Sequence, residues 1–167
     1  MKKIAFFLLV LLYSGVASAQ LKGGSDCGAI TIDVYKGTVN GVRPDFDPEQ
    51  IKVKLTCFSS FEKEANESKC GGGVYYESKD IIFYTRLDYV VIGEKFKGTT
   101  TMPLFGQKSD DLFVKLGNPK VHDANWEAYQ MSYGTLIVYY NDKGLIKSFI
   151  ISTKPTEQLD LCSEVSK

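Results

Sequence analysis

The chain has 167 residues, with 20 basic residues against 20 acidic ones and therefore no formal net charge at pH 7. This balance excludes the strongly basic surface by which proteins bind nucleic acids or anionic membranes. The length suits one ordinary domain with a single core, and ten tyrosines with ten phenylalanines favour a strand-rich fold.

Residues 1–19 are typical of an export signal. Lys2 and Lys3 give a positive start, residues 4–13 form an almost unbroken apolar run, and Ala17-Ser18-Ala19 matches a signal-peptidase site. The apolar run is shorter than the roughly 20 residues that span a bilayer, which disfavours a membrane anchor. We therefore expect cleavage after Ala19 and a secreted or periplasmic protein of bacterial type.

Four cysteines, Cys27, Cys57, Cys70 and Cys162, predict two disulfides in an exported chain. Three pairings are possible. We favour Cys57 with Cys70, which closes a short loop, and Cys27 with Cys162, which ties the ends of the domain together. Cys27 lies too far beyond the apolar run to carry a lipid. A zinc site is disfavoured because the chain has no CxxC pair and a single histidine, His122.

After a polar arm at residues 20–28, one α+β domain is predicted over residues 29–167. Ile30, Ile32 and Val34 alternate with polar residues and predict a strand, which turns at Lys36-Gly37 into a second strand. Together the two strands form a predicted hairpin.

A first helix is predicted to begin at Asp47, a capping residue that is followed by Pro48 and, three positions on, by Gln50. Residues 51–58 alternate in hydrophobicity as a strand does, so helix and strand both stay open there, with helix slightly favoured. Residues 59–73 predict a polar loop. Three strands are then predicted, at 74–77, 81–86 and 89–92.

In the second half, residues 95–108 predict a connection and Ser109 predicts the cap of a second helix. The apolar face of this helix is predicted to consist of Leu112, Phe113 and Leu116, and Gly117 with Pro119 ends it. Three more strands are predicted at 126–132, 135–140 and 146–153, with a hairpin turn at 141–144.

The two halves, 29–93 and 94–155, are similar to each other. Val53-Lys54-Leu55 matches Val114-Lys115-Leu116, and tyrosine-rich strands follow both segments. We therefore predict two similar units, each a short helix packed on an antiparallel meander. Chance similarity between two meanders is the alternative.

The second half, with its helix end Leu116-Gly117-Asn118-Pro119 and with Trp126 before the sheet, resembles the repeat unit of the β-lactamase-inhibitor-protein and SmpA/BamE-like superfamily of exported proteins. It is also similar to uncharacterised secreted bacterial domains with the same helix end. The resemblance implies a helix-plus-meander fold. The first half departs from it, having Leu55-Thr56-Cys57-Phe58 at the corresponding place, and the motif carries no site residue.

A catalytic site has little support in the sequence. His122 beside Asp123 could serve a hydrolase as a base, but no serine lies in a Gly-x-Ser-x-Gly turn. The acidic residues near the predicted helix starts are explained by helix electrostatics. We expect no catalytic residue, no cofactor and no metal.

The candidate binding residues are aromatic: Tyr75, Tyr76, Trp126, Tyr139 and Tyr140. Adjacent strand residues face opposite sides of a sheet, so one tyrosine of each neighbouring pair is expected to be exposed and to suit protein or glycan recognition. Packing between strands is the alternative.

The sequence thus predicts an exported, non-catalytic, protein-binding module, inhibitor-like or immunity-like. The alternatives are a small secreted hydrolase that uses His122, or a structural envelope factor. We expect the partner to be another protein, with no nucleic acid and with no membrane span once the signal is removed.

Overall fold

A computed structural model describes residues 27–63 and 70–162 of the chain. The predicted signal at 1–19 and nearly all of the predicted arm at 20–28 lie outside the described residues. Those residues form two α-helices and eleven β-strands, and most strand pairs are antiparallel. The predicted α+β class is therefore confirmed. Within the same ranges, no helix combines the length and the apolar composition needed to cross a bilayer.

Two sheets are present. The small sheet has the order β2-β1-β7, and the large sheet has the order β3-β4-β5-β6-β11-β10-β9-β8. The strands are β1 (Thr31–Asp33), β2 (Thr38–Val39), β3 (Ser60–Glu62), β4 (Gly73–Tyr76), β5 (Ile81–Tyr84), β6 (Tyr89–Ile92), β7 (Thr99–Thr100), β8 (Val121–His122), β9 (Trp126–Met131), β10 (Gly134–Tyr140) and β11 (Ile146–Ser152). The helices are α1 (Pro48–Lys54) and α2 (Ser109–Leu116).

The large sheet has an inner face that carries the main core. Because side chains alternate along a strand, each strand sends every second residue to this face. Phe83 of β5, Val138 of β10 and Phe149 of β11 lie there and are fully buried. Ile51 of α1 and Leu112 of α2 belong to the same cluster, so the two helices and the small sheet cover the inner face.

Helix α1 begins as the sequence predicts. The carboxylate of Asp47 accepts a hydrogen bond from the backbone N–H of Gln50, and the Gln50 side chain accepts one from the backbone N–H of Asp47. These bonds satisfy two amides of the first turn. The open choice at 51–58 resolves to helix through Lys54, because Ile51 and Leu55 are buried on one helical face and Val53 is exposed.

Helix α2 departs from the prediction at its start and on its apolar face. Lys108 is the capping position, and the Ser109 hydroxyl instead donates to Glu127. Leu112 is buried as predicted, but the Phe113 side chain is 53% exposed. Gly117 ends the helix with a φ of 77°, a value that favours glycine.

Three short strands were not predicted. Strand β3 lies in the segment predicted as a loop, β7 lies in the connection after β6, and β8 precedes β9. Strand β7 pairs in parallel with β1, with Thr31 opposite Thr99. Strands of two or three residues carry too little hydrophobic alternation to be recognised, because the pairing partner alone defines them.

The predicted disulfide pairs are wrong. Cys27 pairs with Cys57, and Cys70 pairs with Cys162. Cys27 and Cys57 pack against the inner-face cluster, whereas Cys70 and Cys162 belong to a second cluster on the opposite, outer face. Each predicted pair would have had to join residues from the two sides of the sheet, and the large sheet separates them.

Each half of the chain contributes four consecutive strands to the large sheet and one helix that packs on it. In the first half these are α1 and β3 to β6, and in the second half α2 and β8 to β11. The two sets of strands meet where β6 pairs with β11. Each set begins at one edge of the sheet and runs inward along the chain, so that β6 and β11, the last strands of the two sets, lie at the centre.

Candidate functional site

Glu127 places an acidic side chain in the interior of the fold, where it is only 1% exposed. It accepts four hydrogen bonds. Oε1 receives the Ser109 hydroxyl at 2.6 Å and lies 2.8 Å from His122 Nδ1. Oε2 receives the hydroxyls of Tyr129 at 2.6 Å and Tyr140 at 2.5 Å. Each oxygen thus has two partners, which fills the acceptor sites of a carboxylate.

The sheet register brings these groups together. Glu127 and Tyr129 lie two residues apart on β9 and so share the inner face. His122 on β8 is the register partner of Glu127, while Tyr140 ends the neighbouring strand β10. Ser109 arrives as the first residue of α2. Four elements therefore converge on one buried charge.

Hydrogen bonding keeps the Glu127 carboxyl acidic. Burial by itself raises its pKa, but the bonds from Ser109, Tyr129, Tyr140 and His122 outweigh burial and hold the pKa below the usual value. Burial, and then the bond to Glu127, raise the pKa of the Tyr129 and Tyr140 hydroxyls. At neutral pH the site therefore contains an ionised carboxylate with neutral phenol donors around it.

His122 links this buried network to solvent. Its side chain is 72% exposed, although Nδ1 lies beside Glu127. A carboxylate can only accept, so the geometry assigns the Nδ1 hydrogen to this bond and leaves Nε2 of the neutral ring as an acceptor. The ring is consequently fixed in tautomer and in orientation.

An open pocket of about 380 Å³ lies against this network. Most of the residues that line it carry polar side chains. The lining consists of Ser109, His122, Asp123, Ala124, Asn125, Glu127, Tyr140, Asn141, Asp142 and Gly144. The β10–β11 turn supplies the last residues, and there the Asn141 side-chain oxygen accepts the backbone amides of Lys143 and Leu145. This confirms the predicted turn at 141–144 and fixes that wall of the pocket.

The pocket does not contain an assembled nucleophile. In a Ser-His-acid triad the serine hydroxyl donates to the imidazole, which the acid orients. Here the Ser109 hydroxyl donates to Glu127, the same oxygen that faces His122. The carboxylate therefore lies between serine and histidine, in the wrong order for proton relay. Among the described residues, no group of three or more His, Cys, Asp or Glu side chains is arranged to hold a metal.

The five aromatic candidates do not form one exposed surface. Tyr76 is 1% exposed and donates to the Leu55 carbonyl at the end of α1, so it belongs to the core. Tyr139 is 6% exposed on the outer face, where its ring lies 6.5 Å from that of half-buried Trp126. The expectation that one tyrosine of each pair is exposed is wrong. Tyr75 is half-buried, and so is Tyr140, which alone of the five lines the pocket.

Sequence reasoning missed Glu127, although a signal for it exists. Tyr129 and Met131 are inward-facing residues of β9, and Glu127 precedes them at the same spacing of two. A glutamate at this spacing faces the core, on the same side of the strand as Tyr129 and Met131. Such an acid must be hydrogen-bonded if it is to remain buried.

The exposed large apolar side chains lie mainly on the helices. Val114 of α2 is 84% exposed and Phe113 beside it 53%, while Val53 of α1 is 76% exposed. Phe113 stands four residues after Ser109, so it is one helical turn from the pocket wall. The sheet aromatics are less accessible than these residues.

Comparison with protein-family models found no match, and comparison with curated proteins and with solved structures found no similar chain.

Proposed function

We propose that this protein is an exported, non-catalytic, protein-binding module and that α2 carries its main contact surface. The observation that carries the proposal is the adjacent pair Phe113 and Val114, which are 53% and 84% exposed. Aromatic residues are enriched at protein interfaces, and the buried centre of an interface is more apolar than its polar rim. The contact surface is defined here as Phe113 and Val114.

The network around Glu127 supports this proposal because it fixes the helix that carries the contact surface. Ser109 joins the first turn of α2 to Glu127, and Leu112 anchors the next turn in the core. A surface that is rigid before binding loses less conformational entropy on association than a mobile one. Phe113 and Val114 are therefore presented by a preorganised element.

Two further features support an exported protein. The described cysteines are joined as Cys27–Cys57 and Cys70–Cys162, and such bonds persist in oxidising compartments. The predicted signal at 1–19 agrees with this location. We propose cleavage after Ala19 and a secreted or periplasmic site of action.

We also infer that the domain consists of two similar units, as its sequence suggests. Within the first unit Tyr76 pairs with Ile81, which pairs with Ile92. Within the second unit Tyr129 pairs with Leu136, which pairs with Ile151. On this basis Ile92 corresponds to Ile151.

The two units meet through equivalent strands. Strand β6 ends the first unit and β11 ends the second, and they pair antiparallel, with Ile92 opposite Phe149 and Val90 opposite Ile151. Antiparallel pairing of two equivalent strands is consistent with an internal two-fold relation and with the proposed resemblance to helix-plus-meander proteins.

The binding proposal is tested by site-specific crosslinking in the native compartment. A photoreactive amino acid placed at position 114 should give a discrete adduct with another protein, because Val114 lies at the contact surface. The same amino acid at position 53 is the matched control, since Val53 is 76% exposed on the other helix, against 84% for Val114. Phe113→Ser in the same chain should reduce the adduct at 114. Equal adducts at both positions, or none at 114 in a folded protein, would refute α2 as the surface.

The hydrolase alternative has one observation in its favour, the fixed orientation of His122 by Glu127. Because Ser109, the serine that lines the pocket, donates its hydroxyl to Glu127 and not to His122, we expect no hydrolysis of ester, amide or phosphate model substrates. If purified protein does hydrolyse one of them and His122→Ala abolishes the activity, the non-catalytic proposal is wrong. A structural envelope factor is distinguished by stable co-purification with outer-membrane components.

A further inference from the structure

The pocket beside Glu127 offers several polar groups that have no hydrogen-bond partner in the part of the chain that the structure describes. Neither the Asn125 side chain nor the Asp142 carboxylate has a hydrogen bond among the described residues. Asn141 uses its oxygen for the turn, which leaves its amide nitrogen available. His122 adds Nε2, which is an acceptor in the neutral ring because the Nδ1 hydrogen is donated to Glu127. Donors and acceptors thus surround one cavity of about 380 Å³.

The lining disfavours three classes of ligand. An anion would meet the carboxylates of Asp123 and Asp142 together with the buried charge of Glu127, and no lysine or arginine lines the pocket. An organic ammonium ion supplies donors only, so the amide nitrogens of Asn125 and Asn141 would lose water without gaining an acceptor. An apolar ligand would desolvate every polar group of the wall.

A neutral polyhydroxyl ligand matches this lining. Each hydroxyl can donate one hydrogen bond and accept others, so adjacent hydroxyls can pair with carboxylate oxygens and amide nitrogens together. The cavity volume lies within the range of about 300 to 1,000 Å³ that is typical of small-molecule sites. We propose that the pocket formed by His122, Asp123, Asn125, Asn141 and Asp142 binds a sugar residue.

Two walls of this sugar pocket are fixed before binding. Glu127 orients His122, and the backbone bonds of Asn141 shape the β10–β11 turn. Fixed polar groups distinguish a shaped site from a solvated surface, because they need not reorganise around the ligand. The inference does not depend on the contact surface of α2, since Phe113 and Val114 do not line the pocket.

The test is an NMR titration of the full mature chain with glucose, galactose, N-acetylglucosamine and their disaccharides. The chemical shifts of the backbone amides are measured at each sugar concentration. At least one sugar should give saturable shifts at residues 122–127 and 140–144, with a dissociation constant on the order of 1 mM. Asn125→Ala and Asp142→Ala should each weaken binding by about 3- to 10-fold. Asn118→Ala, at an exposed position outside the pocket, should leave it unchanged.

Several results would overturn the proposal. One is the absence of saturable shifts with every sugar up to about 20 mM. Another is saturation by putrescine or by inorganic phosphate when the sugars are inert, which would identify a cation or anion site. Binding that survives both pocket substitutions would place the ligand elsewhere. Failure of the protein-binding proposal is separate, because Phe113→Ser should reduce crosslinking at position 114 and leave sugar titrations unchanged.

Discussion

Replacing Glu127 by glutamine should destabilise the fold at neutral pH, because this side chain joins four elements through one buried charge. The wild-type carboxylate accepts four hydrogen bonds, from Ser109, His122, Tyr129 and Tyr140. Glutamine keeps one oxygen, which can accept two of them. Its NH₂ group faces the other two donors, which must rotate or lose their partner.

The expected cost follows from these bonds. Hydrogen bonds to a charged group contribute about 1.5–3 kcal/mol each, so two lost bonds amount to roughly 3–6 kcal/mol. Glutamine also removes the cost of burying a charge, which is several kcal/mol and offsets part of the loss. We therefore expect a net loss of about 2 kcal/mol, or a urea midpoint lower by about 1 M.

The loss of unfolding free energy caused by Glu127→Gln should also depend on pH. The pKa of the Glu127 carboxyl is lower in the folded state than in the unfolded chain. Such a group contributes stability that is present above the unfolded pKa of about 4.3 and is lost as the pH falls through the folded value. Wild type and Glu127→Gln should therefore differ most near pH 7 and converge as the pH falls toward 3.

Urea denaturation between pH 3 and pH 8, followed by the fluorescence of Trp126 on the same strand, measures both effects. Glu94→Gln removes an exposed carboxylate after β6 and is the matched control, which should cost less than about 0.5 kcal/mol. A difference between wild type and Glu127→Gln that stays constant over this pH range would refute the role of an ionised carboxylate. A difference as small as that of the control would refute the role of the network.

Four further variants test the packing and the disulfide by the same denaturation assay. Gly134→Ala should lower the unfolding free energy by about 2–4 kcal/mol, because φ is +147° and an added Cβ would lie 2.3 Å from the Ser152 carbonyl oxygen. A loss below about 1 kcal/mol would show that the hairpin backbone shifts to make room for the methyl group. Ile51→Ala and Leu112→Ala should cost about 2–4 kcal/mol each, since both side chains are fully buried at matched places on the two helices, and a large inequality would count against equivalent units. Replacing both cysteines of the Cys70–Cys162 bridge by serine should lower the unfolding free energy by about 4–5 kcal/mol, because the bridge spans 92 positions; an unchanged midpoint would contradict the loop-entropy argument.

Local signals predicted the helices and the longer strands. The Asp47 capping residue, with Pro48 and Gln50 after it, located the start of α1, and Gly117 located the end of α2. Both features act within one helical turn, so a single segment contains all the information. The same segment could not place Phe113, which lies beside the buried position of α2 and faces solvent in the fold.

The candidate site depends on contacts between residues that are distant in the sequence. His122 was recognised as the only imidazole, but its orientation depends on Glu127, which reaches it through the pairing of β8 with β9. Ser109 was predicted as a helix cap, and it became part of the site because α2 packs on the inner face. The spacing of Glu127 and Tyr129 on one strand can be read from the sequence, whereas the four hydrogen-bond partners of Glu127 cannot.

The sequence by itself determined the α+β class, the cysteine content, the two helices and the tyrosine-rich strands, because each depends on spacing within a short stretch of chain. Only the tertiary structure decided the disulfide pairs, the exposure of the aromatics and the environment of Glu127. These depend on which face of the large sheet a residue occupies and on which distant element covers it. Cys57 and Cys70 are close in the sequence, yet they lie on opposite faces of the sheet, and that separation chose their partners.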